Sequence, residues 1–263
     1  MPDAYERHLV PVFFRPFAAD LAARAAARSP HQVLELAAGT GALTTAVLDA
    51  TPDARVVATD LSEAMVSRGA TLEPRAHWRQ ADAQELPFQD ASFDLALCQF
   101  GVMFFPDRPA AYAEIRRVLT PNGRLLFNSW GPVASHGFAA AFQDALEASM
   151  PEGENAPTFL PDIPHGYVDP AAVAEDLAAA GLDLVAAEEV TLEGVAESAA
   201  SVATGLLTGT PVRAALASHP DAAAIEETVT GAMTAALGPG PVTAAMTATI
   251  YTARPLPGGP AGR

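Results

Sequence analysis

Val33-Leu34-Glu35-Leu36-Ala37-Ala38-Gly39-Thr40-Gly41 decides the fold of this chain. Its first half is an apolar run that reads as a strand over residues 31–36. Its second half is a glycine-bearing loop. Residues 42–50 then read as a helix, so the stretch is a strand–loop–helix unit. Glycine lets backbone approach a ligand closely, and the first helical turn offers N–H groups that no intrahelical carbonyl takes. Such a loop suits a carboxylate as well as a phosphate. Thr44 stands where a dinucleotide fingerprint needs its third glycine, and the chain has no lysine for a phosphate loop. A nicotinamide-dependent oxidoreductase is thereby disfavoured.

The same alternation continues outward. Upstream, Pro16 is expected at the first position of a helix reaching Arg28, with Phe17 and Leu21 on one face. Downstream, residues 55–60 read as a second strand. Ser62 then caps a helix through Gly69. A third strand is expected over 76–81 and a fourth over 93–99. A helix after Pro106-Asp107 carries Tyr112, Ile115, Val118 and Leu119 on one face. Thr120-Pro121-Asn122-Gly123 signals a turn before a fifth strand over 124–130. Strands alternating with helices define an α/β domain with a parallel sheet.

Beyond Gly131 the pattern loosens. A helix is expected over 137–150, then a proline-rich connection to Pro164 and a helix from Pro170 to near Gly181. A sixth strand is expected over 184–192, two or three Ala/Thr-rich helices over 197–237, and a last strand over 242–253. The whole predicts a Rossmann-like, seven-stranded, mostly parallel sheet with helices on both faces and a helical cap. The expected layout is a single domain over 1–263. It comprises an N-terminal helical segment (1–29), a binding core (30–130) and cap inserts (131–166 and 194–241). The remaining core is 167–193 and 242–254, and the tail, 255–263, is expected to be disordered.

In an open parallel sheet, ligands bind beyond the carboxyl ends of the strands. Asp60 ends the second strand, about 20 residues past the loop, where a carboxylate accepts from both hydroxyls of a ribose. Asp82-Ala83 follows the third strand, where a carboxylate accepts from an exocyclic amine. Cys98-Gln99-Phe100 ends the fourth. Together these residues describe a slot for a carboxylate-bearing nucleoside.

Four pieces, taken in order and spacing, resemble the class I S-adenosylmethionine (SAM)-dependent methyltransferases of the small-molecule, type 11 (UbiE-like) group. They are Val33 to Gly41, Val57-Ala58-Thr59-Asp60-Leu61-Ser62-Glu63-Ala64-Met65, Ala81-Asp82-Ala83-Gln84-Glu85-Leu86-Pro87-Phe88, and Phe93-Asp94-Leu95 through Phe105-Pro106-Asp107. The resemblance implies SAM as cofactor, with S-adenosylhomocysteine as product. It implies that Glu35, Ala37, Gly39 and Gly41 line the methionine part. Asp60 would bind the ribose with Leu61 and Met65 beside the adenosine, Asp82 and Ala83 would meet the adenine, and Gln99 and Phe100 would close the far wall. Ala37 occupies the family's first glycine, a position alanine tolerates if its φ stays negative.

The implied reaction is an in-line displacement at the sulfonium methyl. Alignment of the two reactants is worth roughly 7–11 kcal/mol, and a hydroxyl or carbon acceptor also needs a base. His165 and His136, where the chain leaves the core, are the candidate bases, and His8 lies in the N-terminal segment. An amine or phenolate acceptor needs none. Tyr5, Phe13, Phe14, Met103, Phe104 and Trp130 suggest an apolar or aromatic small-molecule acceptor, in specialised metabolism, with quinone and lipid-like acceptors left open. A SAM-binding cyclase or binding protein of the same fold, without methyl transfer, is the alternative.

Composition sets the outer bounds. Of 263 residues, 50% are hydrophobic and 17% charged, enough to bury a core and to exclude global disorder. Net charge is -16 and all 15 basic residues are arginine, so no Schiff-base lysine exists. Residues 1–130 carry 12 Arg against 15 Asp and Glu; residues 131–263 carry 3 against 16. The acidic surface disfavours nucleic acid and anionic membranes as partners, and an RNA methyltransferase lacks its basic groove. Cys98, the single cysteine, excludes an internal disulfide and a thiolate zinc cage. No His or carboxylate cluster has metal spacing, so no metal is expected. Neither a signal peptide nor a membrane span is read, which makes the expected location cytoplasmic. The oligomeric state is left open.

Overall fold

The computed structural model describes residues 2–217 and 219–257. Its strands are β1 (Gln32–Leu36), β2 (Arg55–Asp60), β3 (His77–Gln80), β4 (Phe93–Gln99), β5 (Leu119–Trp130), β6 (Leu182–Ala196) and β7 (Val242–Pro255). They form one seven-stranded sheet in the order β3-β2-β1-β4-β5-β7-β6. The first five pair in parallel, and β7 runs antiparallel to β5. The expected seven-stranded, mostly parallel α/β sheet is therefore the fold. Its strand order reverses at β1, whose neighbours β2 and β4 lead away in opposite directions. That reversal opens a crevice at the carboxyl ends of β1 and β4.

Burial explains which strands form the centre. β1 and β4 are almost wholly buried, as strands covered on both faces must be, and they read as near-continuous Val, Leu, Ala and Cys runs. β3 lies at the edge and is mostly exposed. Helices start where the side chains dictate. Ser62 accepts from the Met65 N–H and opens the helix Glu63–Leu72. Asp107 accepts from the Ala110 N–H and opens Arg108–Val118. Asp169 does the same for Pro170–Ala179. Tyr112, Ile115 and Val118 are buried on one face of their helix.

Four expectations need correction. The Thr120–Gly123 turn does not precede the fifth strand; it is absorbed into β5. Phe93 pairs with Leu119 and Leu95 with Arg124, so the extra residues bulge out of the ladder. Pro16 is not a first helical residue, because helical turns precede it. Residues Tyr5–Phe14 form a wide π-helix that continues into Arg15–Ala26. Pro11 sits inside that wide stretch. A proline ring crowds the carbonyl four residues back and donates no bond, and bonding from i+5 to i, as from Arg15 N–H to Val10 C=O, relieves both. The tail does not begin at 255: Pro255 ends β7, and the Leu256 N–H donates to the Gly181 carbonyl at 3.0 Å. Residues 258–263 of the expected tail lie outside the described residues. β6 is also longer than expected, because its alternating polar edge carries no apolar signal.

The chain divides into two compact units. One comprises Phe17–Trp130, Tyr167–Val190 and Ala248–Arg263; the other comprises Met1–Pro16, Gly131–Gly166 and Thr191–Thr247. In the second unit, the helices Gly137–Ser149, Ala199–Gly209 and Ala222–Leu237 pack together, and the π-helix packs on Ala199–Gly209. That last contact depends on a small residue: a Cβ on Gly205 would lie 2.8 Å from His8 Cβ. Among the described residues, no helix is long and apolar enough to cross a membrane.

Candidate functional site

The first unit carries the loops that follow β1 to β4. After β1 the backbone turns sharply: Gly39 and Gly41 have φ of 57° and 97°. Ala37 is also left-handed, with φ of 50°. This overturns the expectation that alanine is tolerated here at negative φ. A left-handed alanine costs about 1–2 kcal/mol. The neighbouring loop makes room for its methyl group, since a Cβ on Gly101 would lie 2.5 Å from Ala37 Cβ and 2.7 Å from Cys98 Sγ. We expect Ala37→Gly to raise the unfolding free energy by up to about 1 kcal/mol, net of the added chain entropy. Equilibrium urea denaturation measures it; a destabilised variant contradicts the strain.

The loop is anchored to Asp60. One carboxylate oxygen accepts from the Gly39 N–H at 2.8 Å and the other from the Ser62 N–H at 2.9 Å. A carboxylate offers about four acceptor sites, so Asp60 retains capacity for two hydroxyl donors. Leu61 beside it is 67% exposed, and Met65 is half-buried. Asp82 is exposed and accepts from the Gln84 backbone at 2.9 Å, closing its own turn next to Ala83. Gln84 in turn accepts from the Asp107 N–H. Arg117 bonds the carbonyls of Leu86 and Phe88 and the carboxylates of Asp90 and Glu114, which fixes the segment after β3.

Glu35 is 1% exposed, and its carboxyl accepts from the Thr44 hydroxyl at 2.7 Å. Burial, with a smaller push from the Asp60 charge, raises its pKa to about 8 against the opposing Thr44 bond. Cys98, buried on β4, is pushed up to about 12 by burial, so it packs as a thiol. Gln99 is half-buried, and Phe100 stacks on Trp130 with centroids 3.6 Å apart while Phe17 meets both edge-on. Met103 is buried in the turn Val102–Phe104, and Phe104 is 50% exposed.

Two residues of this unit were missed by sequence reasoning. Asn128, fully buried on β5, accepts from the Phe100 N–H at 2.8 Å and holds that residue at a left-handed φ of 53°. Its signal was a polar residue in an apolar strand, Leu125-Leu126-Phe127-Asn128. Trp78 lies against the glycines: Cβ atoms on Gly41 and Gly69 would stand 3.0 Å and 2.2 Å from its ring. Nothing in the sequence marks that contact beyond a glycine inside a helix.

The other unit holds the two histidines. His165 Nδ1 lies 2.7 Å from the Gly131 carbonyl. A carbonyl only accepts, so Nδ1 carries the proton and Nε2 keeps the lone pair. His136 is the reverse: its Nδ1 accepts from the Ala139 N–H, which caps the helix Gly137–Ser149, so Nε2 carries the proton in the neutral ring. The rings meet edge-to-face at 5.5 Å, and Phe13 stacks on His136 at 5.2 Å. Tyr5 packs on Phe14 at 5.1 Å. Burial drives His136 down to about 3, with the His165 charge adding to it, and burial also lowers His165.

These shifts set opposite pH limbs for stability. His136 and His165 are neutral when folded but bind protons when unfolded, so stability rises with pH toward 6.5. Glu35 holds a proton in the folded chain that the unfolded chain has lost between 4.5 and about 8, so stability falls as pH rises through that window. From 6.5 to 8 the Glu35 limb outweighs the fading end of the histidine limb. We expect a net loss on the order of 1 kcal/mol there. Denaturation curves across that range check it, and Glu35→Gln should flatten them.

The fold and the loop placement define a class of protein: a Rossmann-like α/β domain whose candidate ligand residues follow four adjacent parallel strands. The methyltransferase domain family matches residues 34–127. The demethylmenaquinone methyltransferase of Deinococcus radiodurans is 32% identical over 171 residues, 61% of this chain and 71% of that protein. The YcgJ protein of Bacillus subtilis has a similar structure, with a TM-score of 0.60 and 19% identity over 92% of this chain and all of its own. The [4+2]-cyclase SpnF shares the fold at a TM-score of 0.55 and 22% identity, over 90% of this chain and 80% of its own. This chain belongs to the class I SAM-dependent methyltransferases. It is an enzyme whose cofactor is S-adenosylmethionine.

Proposed function

We propose that the chain methylates an aromatic, hydroxyl-bearing small molecule of the hydroquinone type. The observation that carries this reading is the similarity to a demethylmenaquinone methyltransferase across 71% of that protein's length. It favours a quinone-type ring over the broader expectation of specialised metabolism. The cyclase-like alternative has support in fold alone.

The residues after β1 to β4 fit the cofactor chemically. Asp60 has acceptor capacity for a ribose diol, and its carboxylate gives the loop a negative character suited to a cationic ligand. In this reading Glu35, Ala37, Gly39 and Gly41 hold the methionine end. Asp60, Leu61 and Met65 hold the ribose and adenosine, Asp82 and Ala83 the adenine, and Gln99 and Phe100 the far wall. When bound, SAM supplies a methyl group activated by the sulfonium. In the core unit, Met103, Phe104 and Trp130 offer apolar surface to the acceptor.

His165 takes the acceptor's proton at Nε2, with Nδ1–H···O=C of Gly131 fixing the ring and its tautomer. His136 is neutral with its proton on Nε2, which suits it to orient rather than to accept. A ring carbon activated by the neighbouring deprotonated hydroxyl would be the methyl acceptor, its C–H proton passing to solvent while His165 returns the proton it took to the hydroxyl oxygen. The test is product analysis by mass spectrometry after incubation with SAM and a prenylated naphthohydroquinone, a catechol or a primary amine. We expect methylation on ring carbon of the hydroquinone; methylation of the amine alone contradicts the proposal.

A further inference from the structure

Glu35 is a carboxyl group built into the end of β1, 1% exposed, beneath the glycine-bearing loop. The groups that face it come from three elements. Thr44, on the helix Ala42–Ala50, donates its hydroxyl to Glu35 Oε2. Asp60, at the end of β2, adds negative charge, and Cys98, on the neighbouring strand β4, stays a neutral thiol. No cationic group contributes to this cluster among the described residues. The arrangement therefore disfavours an ionised Glu35 until a positive charge arrives from outside.

We infer that Glu35 gives up its proton when the positively charged amino-acid end of the cofactor binds, so that cofactor binding and proton release are coupled in this enzyme. The inference rests on the reading that the methionine part lies at residues 35–41. In the free protein, burial holds Glu35 protonated at neutral pH, with a pKa of about 8. An ammonium group beside it favours the carboxylate, since an opposite charge at close range stabilises the ionised form. The proton goes to solvent; no bond to carbon forms or breaks. Linkage then requires affinity to climb with pH, by up to about tenfold per unit below 8.

The experiment is calorimetric titration of the whole chain with S-adenosylhomocysteine at pH 7, in buffers of different ionisation enthalpy. The difference in heat counts the protons. We expect close to one proton released per ligand by the wild type. We expect none from Glu35→Gln, whose amide mimics the protonated acid. We also expect none when the wild type binds 5′-methylthioadenosine, which lacks the ammonium group. That second ligand keeps the test decisive even if the variant does not fold. Binding of S-adenosylhomocysteine without proton release overturns the inference and leaves the cofactor placement standing. So does equal release with the ligand that lacks the ammonium. No binding of either ligand overturns both.

Discussion

Asp60→Ala lowers affinity for S-adenosylhomocysteine by a hundredfold or more, the largest effect expected of any single substitution in the cofactor loops. Two losses combine. The carboxylate no longer anchors the Gly39 and Ser62 N–H groups, which lie 2.8 and 2.9 Å away. The two proposed bonds to ribose hydroxyls also vanish. A hydrogen bond to a charged group is worth about 1.5–3 kcal/mol, so two of them correspond to roughly 10²–10⁴ in affinity. Asp60 is half-buried at the end of its strand and packs no core, so the fold survives. Isothermal titration with a thermal melt separates the two effects. A variant that melts near the wild-type temperature yet binds normally removes Asp60 from the cofactor site.

The second large effect is on turnover. His165→Gln is expected to cut kcat by about 10²–10⁴ while leaving affinity for S-adenosylhomocysteine unchanged, the range for loss of a positioned base. Glutamine keeps a donor for the Gly131 carbonyl but has no basic nitrogen. The pH profile sharpens the test. Burial lowers His165 below its ordinary value. Wild-type kcat should rise with pH along an acid limb displaced below the ordinary imidazole range, and the variant should lose this limb. Full activity in the variant, or an unchanged limb, dismisses His165 as the base.

The sheet's centre was legible because burial on both faces demands apolar runs. β2 and β4 match their expected bounds, and β1 starts one residue late. The helix Ala42–Ala50 and the cap at Ser62 were equally plain, the first from the glycine loop before it and the second because a side-chain cap is a local signal. What escaped was set by distant contacts. Thr120-Pro121-Asn122-Gly123 looks like a turn in isolation, yet pairing with β4 keeps it in the strand as a bulge. Ala37 takes a left-handed φ because Gly101, far along the chain, leaves space for its methyl. A polar Asn128 in an apolar strand and a glycine inside a helix flag two positions, but no local window names Phe100 or Trp78 as their partners. In the histidine pair, sequence named the residues, but only the partners at Gly131 and Ala139 distinguish the nitrogen that accepts from the nitrogen that donates.

The central claim is that the loops after β1 to β4 form a site for a carboxylate-bearing nucleoside cation rather than for a dinucleotide. Calorimetric titration of the purified chain with S-adenosylhomocysteine, run beside NADH, tests it most directly. The expected result is one site of micromolar affinity for S-adenosylhomocysteine and no heat from NADH. Binding of NADH with none of S-adenosylhomocysteine would contradict the account.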